Sequence, residues 1–321
     1  MNNILFVDKY QPLYFHQFEV NNQVISILET LIKMDNLSLL FVGDIGSGKT
    51  VFLKAIIREY YKNYNPIEYN NNVLYINSLK DQGIHYYRND VKTFCQTSST
   101  IKNKKKIVVL DDIDLINEQS QQVFRNCIDK FSHNVHFISS CTNIQKVIES
   151  LQSRLILIKI KILQKENLMK IINNIASLEN IVVNQEACDF ILNISKNNAK
   201  NIINYLEKFK LINEKITLEL ANKICTDINF SLFNDYIYFI MNKQLNLAVQ
   251  LLYELHDKGY SVMDILDNWF LFIKTTNIIA DDIKYTIIPI ICKYITVFHN
   301  IHEDEIELAL FTNNVYSVFH K

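Results

Sequence analysis

The apolar positions change rhythm partway along the chain. Between residues 39 and 160 they gather in short runs, at 39–42, 73–77, 107–110, 135–140 and 155–160, rich in Ile, Val, Leu and Phe. Runs of this length are those of buried strands. Stretches with helical spacing or good helix formers lie between them, as at 51–61 and 84–95. Strands alternating with helices predict an α/β fold, a parallel sheet with helices on both faces. From about residue 162 the pattern is helical only. Segments 166–177, 184–195 and 198–211 repeat apolar residues at three- and four-residue intervals, for example Leu168, Ile171, Ile172 and Ile175, or Ile202, Ile203, Leu206 and Phe209. Asn184 stands where an N-cap is expected. A second helical block runs from 232 to the C-terminus, with one helix over 245–256 ending near Gly259 and another over 262–273. The stripe of Val262, Leu266, Trp269 and Ile273 on the latter reads as core, with Trp269 an apolar anchor. Ahead of the first strand, Val24, Ile27, Leu28, Leu31 and Ile32 share one face of a further helix.

The first strand breaks into the most informative stretch. Residues 39–50 read Leu-Leu-Phe-Val-Gly-Asp-Ile-Gly-Ser-Gly-Lys-Thr, a G-x-x-x-x-G-K-T loop with a strand before it and a helix after it. Three of the chain's five glycines (Gly43, Gly46, Gly48) sit here, so glycine is placed where positive φ or close approach is required. Such a loop turns its N–H groups toward phosphate oxygens, and the helix N-terminus adds partial positive charge. Gly43, Asp44, Ile45, Gly46, Ser47, Gly48, Lys49, Thr50 and Val51 are therefore candidate nucleotide-binding residues. Lys49 is expected to reach the β- and γ-phosphates, and the Thr50 hydroxyl to hold Mg²⁺. The third strand ends in Asp111-Asp112-Ile113-Asp114. Acids closing a β-branched strand downstream of a phosphate loop suit Mg²⁺ for the first, Asp111, and the attacking water for the second, Asp112.

Composition narrows the class. Hydrophobic residues make up 49% of 321, enough for a sizeable core. No apolar run has membrane-spanning length and no signal peptide opens the chain, so an intracellular protein without a membrane partner is expected. Six scattered cysteines without a C-x-x-C pair read as core residues in a reducing compartment. The net charge of −1 announces no nucleic acid globally, so DNA contact has to come from local patches. The lysines of 102–106 read as a solvated loop. Heavy use of Ile, Asn and Lys suggests AT-rich coding.

Several stretches, in order, resemble the small subunits of replication factor C, the sliding-clamp loaders among the AAA+ ATPases. Phe6-Val7-Asp8-Lys9-Tyr10-Gln11-Pro12 is similar to the family's W-V-E-K-Y-R-P box. Residues 77–84, with Arg88, Lys92 and Phe94, resemble N-A-S-D-x-R-G-I-x-x-x-R-x-x-x-K-x-F. Residues 111–125 resemble D-E-A-D-x-x-x-x-x-A-Q-x-A-L-R. Thr142 falls at the sensor 1 position, Ser153-Arg154 in the S-R-C box, and 197–204 where the family has G-D-x-R-x-A-L-N. The motifs cover about residues 4–225; beyond them lies a helical tail of suitable length.

The resemblance implies an AAA+ P-loop ATPase module with a parallel sheet over 1–160, a small helical lid over 161–226, and an all-helical collar for oligomerisation over 227–321. It implies that Val7, Tyr10 and Gln11 line the adenine, that Thr142 senses the γ-phosphate, and that Lys200 contacts it from the lid. Arg154 is implied as an arginine finger acting in trans on a neighbour's ATP. Arg88 and Lys92, one helical turn apart, are implied to track DNA phosphates, with Val91 and Phe94 as apolar candidates for the clamp. The implied partners are other subunits of a hetero-pentamer, a ring-shaped clamp and primer-template DNA; the implied cofactors are ATP and Mg²⁺. The implied location is the nucleus or, for a viral protein, the site of viral DNA replication. Departures are Gln11 for arginine, Asp112 for glutamate, Lys200 for arginine and Leu155 for cysteine. They imply a site that binds ATP well and cleaves it modestly. Two other readings stand beside this one: another AAA+ motor, and an ATP-holding structural subunit that supplies Arg154 to its neighbour.

Overall fold

A computed structural model of the chain describes residues 4–19, 22–78, 83–195, 197–212, 214–225, 228, 230–298 and 302–320. It divides into two compact units, Met1–Ile224 and Cys225–Lys321. The first begins with α1 (Phe6–Lys9) and α2 (Asn22–Lys33), then alternates β1 (Leu39–Val42), α3 (Lys49–Tyr60), α4 (Pro66–Tyr69), β2 (Val73–Asn77), α5 (Ile84–Arg88), α6 (Asp90–Gln96), β3 (Lys106–Asp111), α7 (Glu118–Phe131), β4 (Val135–Cys141), α8 (Glu149–Gln152) and β5 (Ile156–Lys159). Helices α9 (Lys165–Glu179), α10 (Gln185–Ile194), α11 (Ala199–Ile212) and α12 (Leu218–Ile224) complete it.

The strands form one parallel sheet in the order β2-β3-β4-β1-β5. Successive strand residues face opposite sides, and the packing follows that alternation. Leu39, Phe41, Ile107, Val109 and Ile138 join Phe52, Leu53 and Ile56 of α3 on one face. Leu40, Val108, Leu110, Phe137 and Cys141 join Phe124 and Ile128 of α7 on the other. The apolar runs are continuous because both faces are covered. Cover thins at the two edges, where β5 exposes Ile156 and Leu157 and β2 exposes Tyr75.

Several expectations change in detail. The 84–95 helix is broken at Asn89, whose backbone (φ −107°, ψ −65°) separates α5 from α6. Val91 is wholly buried beside Cys95 in the core, so it is no clamp-facing residue. The lysine run is a solvated loop only in its first part, where Lys102 and Asn103 are exposed in a turn. Lys104 lies over the Tyr60 ring, Lys105 pairs with Asp35 at 3.1 Å, and Lys106 is buried, donating to the Phe94 carbonyl at 3.1 Å and to the Thr97 hydroxyl. Ile27 is half exposed while Leu28 is buried. Leu79, Lys80, Asp81 and Gln82, part of the family-like stretch, lie outside the described residues.

In α9–α12 the apolar stripes meet: Leu168, Ile172, Ile175, Ile191, Ile202, Leu206 and Phe209 are buried. Asn184 occupies the N-cap of α10 without a side-chain capping bond. α1 packs against α11. Glu179, at the end of α9, accepts from Lys9 Nζ at 2.5 Å and from the Tyr10 hydroxyl, clasping the N-terminal box to these helices.

The second unit is helical: α13 (Phe230–Met241), α14 (Leu245–Asp257), α15 (Val262–Thr275), α16 (Asp281–Phe298) and α17 (Ile306–Phe319). Trp269 is its anchor as expected, ringed by Phe233, Tyr236 and Phe272 with centroids 4.8–5.4 Å away. All of Val262, Leu266, Trp269 and Ile273 are buried. The Tyr236 hydroxyl donates to Thr312 Oγ1 at 3.1 Å inside this core.

Candidate nucleotide site at the strand ends

A parallel sheet sends its loops out at the carboxyl ends of the strands, and those loops carry the candidate site. Three of its loops converge. β1 ends at Val42 and leads into Gly43–Gly48; β3 ends at Asp111; β4 ends at Cys141, before Thr142. The three glycines answer two demands, close approach and positive φ. A Cβ on Gly43 would lie 2.6 Å from the Ile160 carbonyl oxygen, so the loop fits only without one. Gly46 and Gly48 have φ of +80° and +91°, which L side chains rarely adopt. Gly48 is the N-cap of α3, so the loop delivers its N–H groups to the helix's positive end.

Lys49 is buried to 7% exposure, and Nζ donates to the carbonyl oxygens of Gly43 (2.8 Å) and Asp44 (3.0 Å). No carboxylate pairs with it among the described residues. A buried ammonium held only by carbonyls is suited to an incoming anion. Ser47 Oγ is buried in the same loop with no partner among the described residues.

Thr50 Oγ1 donates to Asp111 Oδ2 at 2.8 Å, and the Ser140 hydroxyl donates to Asp111 Oδ1. Ser140 Oγ in turn accepts from the Asp112 N–H at 3.0 Å. A hydroxyl and a carboxylate side by side are hard oxygen donors, the set Mg²⁺ takes together with phosphates and water. Asp112 has left-handed backbone (φ 52°). Burial, and then the neighbouring Asp111 charge, raise its carboxyl above the ordinary aspartate value. Asp114 accepts from the backbone N–H groups of Thr142 (3.2 Å) and Asn143 (2.9 Å), tying the end of β4 to the turn after β3. Thr142 is exposed there.

The segment leading into α11 reaches this loop through Asn198, a residue of the 197–204 stretch for which the resemblance implies no site role. Asn198, just before α11, lies against Gly46, and its Oδ1 accepts from the Lys200 N–H at 3.0 Å. Lys200 is exposed on the first turn of α11. Val7, Tyr10 and Gln11 are half-buried on or beside α1, which packs on the same helix. Ser140 carries a faint signal, a polar pair (Ser139-Ser140) inside an otherwise apolar strand. Glu179 carries none.

Two groups of expected site residues stand elsewhere. Arg154 lies two residues before β5, whose Ile156 pairs with Leu39 at the start of β1. The phosphate loop leaves the other end of β1, on the order of 10 Å of strand away. Arg154 instead meets α7, where Nε donates to Asp129 Oδ1 at 2.5 Å. Arg88 and Lys92 are both exposed, on α5 and α6 respectively, and neither has an ion-pair partner among the described residues.

Residues 39–162 match the model of the ATPase family associated with various cellular activities (AAA). Replication factor C subunit 5 of Mus musculus is 26% identical over 278 residues, 84% of this chain and 80% of the mouse protein. Replication factor C small subunit 2 of Pyrobaculum aerophilum is 26% identical over 268 residues, 83% of each. The Thermotoga maritima RuvB Holliday junction branch migration motor shares the fold, with a TM-score of 0.53 at 15% identity over 67% of this chain and 72% of RuvB. The α/β unit is thus an AAA+ P-loop module, and the resemblance to replication factor C small subunits read from the motifs extends over more than four-fifths of the chain.

Proposed function

We propose that this relative of the replication factor C small subunits is an ATP-binding subunit of a sliding-clamp loader. The observation that carries the reading is the reach of the similarity. It runs over 278 residues, well past the 39–162 segment common to AAA ATPases at large. RuvB, an AAA+ motor of another kind, shares the fold over 67% of this chain at 15% identity, less than the 84% over which the replication factor C similarity runs at 26%.

In this reading Gly43–Val51 hold the triphosphate, and Lys49 exchanges its carbonyl partners for the β- and γ-oxygens. Thr50 and Asp111 are the side chains that hold Mg²⁺, which when bound neutralises charge developing on the phosphates. Asp112 orients the attacking water, Thr142 faces the γ-phosphate from the end of β4, and Lys200 approaches from the lid. Val7, Tyr10 and Gln11 line the base. Arg154 serves the ATP of a neighbouring subunit in a hetero-pentameric ring. ATP binding opens the clamp and hydrolysis releases it on primed DNA. Arg88 and Lys92 track the DNA backbone, an interaction that adds affinity without reading sequence. The protein works inside the cell, in a reducing compartment where DNA is replicated.

A second reading, that of a subunit with little turnover of its own, draws on Asp112. Its carboxylate is one methylene shorter than a glutamate, which shortens its reach toward an attacking water.

Purification of the tagged protein from its native source, with identification of what accompanies it, tests the reading. The expected companions are further AAA+ subunits and a ring-forming clamp. A complex that lacks both, or full ATP turnover by a verified monomer, overturns it.

A further inference from the structure

The surroundings of Arg154 carry an inference that rests on the trans reading above and goes one step deeper. Its guanidinium is held within the chain. Nε donates to Asp129 Oδ1 at 2.5 Å, and Nη1 donates to the Ser150 carbonyl oxygen at 2.5 Å and to Ser153 Oγ at 3.4 Å. Among the described residues no hydrogen bond engages Nη2. Asp129 is itself held from both sides. Its Oδ2 lies 3.3 Å from Arg125 Nη2, one turn back on α7. The hydrogen bond from Arg154 holds the Asp129 carboxyl below the usual aspartate value, helped by the charges of both arginines, so it is ionised at neutral pH.

Two of the three guanidinium nitrogens are therefore engaged within the chain, and the two N–H groups of Nη2 are left for another acceptor. Arginine side chains carry about 2 kcal/mol of rotamer entropy. A finger that had to find its pose at each encounter would lose that much on every turnover. Anchoring Nε and Nη1 beforehand fixes the plane of the guanidinium and leaves its remaining donors aimed.

We propose that Asp129 is the positioning residue for Arg154: its carboxylate fixes Nε so that Nη2 is presented across the subunit boundary to a neighbour's phosphate. Asp129 touches no substrate. It acts through Arg154 alone, and its removal alters the neighbour's chemistry and leaves this chain's own nucleotide site as it was.

The test uses the reconstituted complex and its clamp- and DNA-stimulated ATP turnover. Asp129→Asn removes the charge at constant size on an exposed helix face, so α7 is retained; thermal melting checks this. Turnover is expected to fall by about tenfold, the cost of a misaimed catalytic group, with KM for ATP unchanged. Asp129→Glu keeps the charge and is expected to lose less. In an Arg154→Ala background, Asp129→Asn is expected to cost nothing further, because the group it positions has gone. If Arg154→Ala slows turnover but Asp129→Asn has no effect, or adds its full loss on top, Asp129 does not act through Arg154 and this inference fails while the shared site stands. If Asp129→Asn speeds turnover, the carboxylate restrains the arginine and does not present it, which also overturns the proposal. If Arg154→Ala itself changes nothing, the shared site fails and the positioning role fails with it.

Discussion

The Asn198 side chain stands over Gly46: a Cβ built on that glycine would lie 2.4 Å from its amide atoms. One residue of the phosphate loop and one at the head of α11 are thus packed as closely as a missing side chain allows. The third demand on the loop glycines is therefore lid approach, in addition to turn geometry and phosphate access.

Gly46→Ala is expected to push Asn198 aside and to strain a backbone with φ of +80°, at a cost of about 1–2 kcal/mol. Nucleotide affinity should drop several-fold with the fold intact. Part of the loss should be recovered in Gly46→Ala/Asn198→Ala, since the second change removes what the new methyl meets. Fluorescent-nucleotide titration of the four proteins measures the coupling; strictly additive losses would mean that the packing of lid on loop plays no part in binding.

Lys49→Ala removes the buried ammonium from the loop. Because its present partners are two carbonyl oxygens, which can turn to solvent, the melting temperature should change little. ATP affinity should fall tenfold or more, the scale of a charge-assisted bond worth about 1.5–3 kcal/mol. Equal affinity in calorimetry would remove the phosphate-loop assignment.

Asp112→Glu should raise turnover in the assembled complex by restoring the reach of the carboxylate, and Asp112→Asn should lower it with ATP binding retained. Steady-state assays of complexes in which the other sites are inactivated read this directly. If both variants equal wild type, the subunit's own site is silent and the structural-subunit reading is favoured.

Arg88→Ala and Lys92→Ala should each weaken DNA binding by the complex about equally on unrelated sequences. The dependence of log affinity on log salt should become shallower by about one for each phosphate that is no longer neutralised. Anisotropy titrations over a range of salt concentrations measure it. The break at Asn89 places the two side chains on separate helices, so their effects need not coincide, and the double variant shows whether they add.

Acid should destabilise the first unit through His136. This residue is buried, with Nδ1 accepting from the Leu37 N–H (3.3 Å) and Nε2 donating to Asp35 (3.1 Å), which also faces the Tyr60 hydroxyl and Lys105. Burial pushes its pKa down to about 4 against the pull of Asp35, with Lys105 and Lys104 adding to the depression. The unfolded chain binds the proton more readily. Stability due to neutral His136 is therefore complete above about pH 6.5 and is lost as pH falls toward 4, by an amount on the order of 3 kcal/mol. His136→Gln should flatten that part of the profile of urea midpoint against pH. An unchanged profile would assign the acid sensitivity to other groups.

The elements and the local chemistry are legible in the chain alone. Strand runs, helical stripes, the glycine loop and the Asp111-Asp112 strand end are set by residues close in sequence, and their periodicity and spacing are enough to read them. The five strands lie where the apolar runs are, and the Trp269 stripe is core, because such patterns bury their apolar groups best in those conformations. What depends on distant segments was settled by the folded chain. The pairing of β5 with β1, parallel and with Ile156 beside Leu39, sets Arg154 at the opposite end of the sheet from its own phosphate loop. The fates of Lys104, Lys105 and Lys106 follow from Tyr60, Asp35 and Phe94, which the run itself does not contain. Asn89 breaks a helix whose flanking periodicity looks continuous, and Val91 turns inward with the second half. Asn198 over Gly46, Glu179 against Lys9 and Tyr10, and Asp129 beside Arg154 join residues 25 to 170 positions apart. No local pattern encodes such pairs; they exist because burial of the shared core brings those segments together.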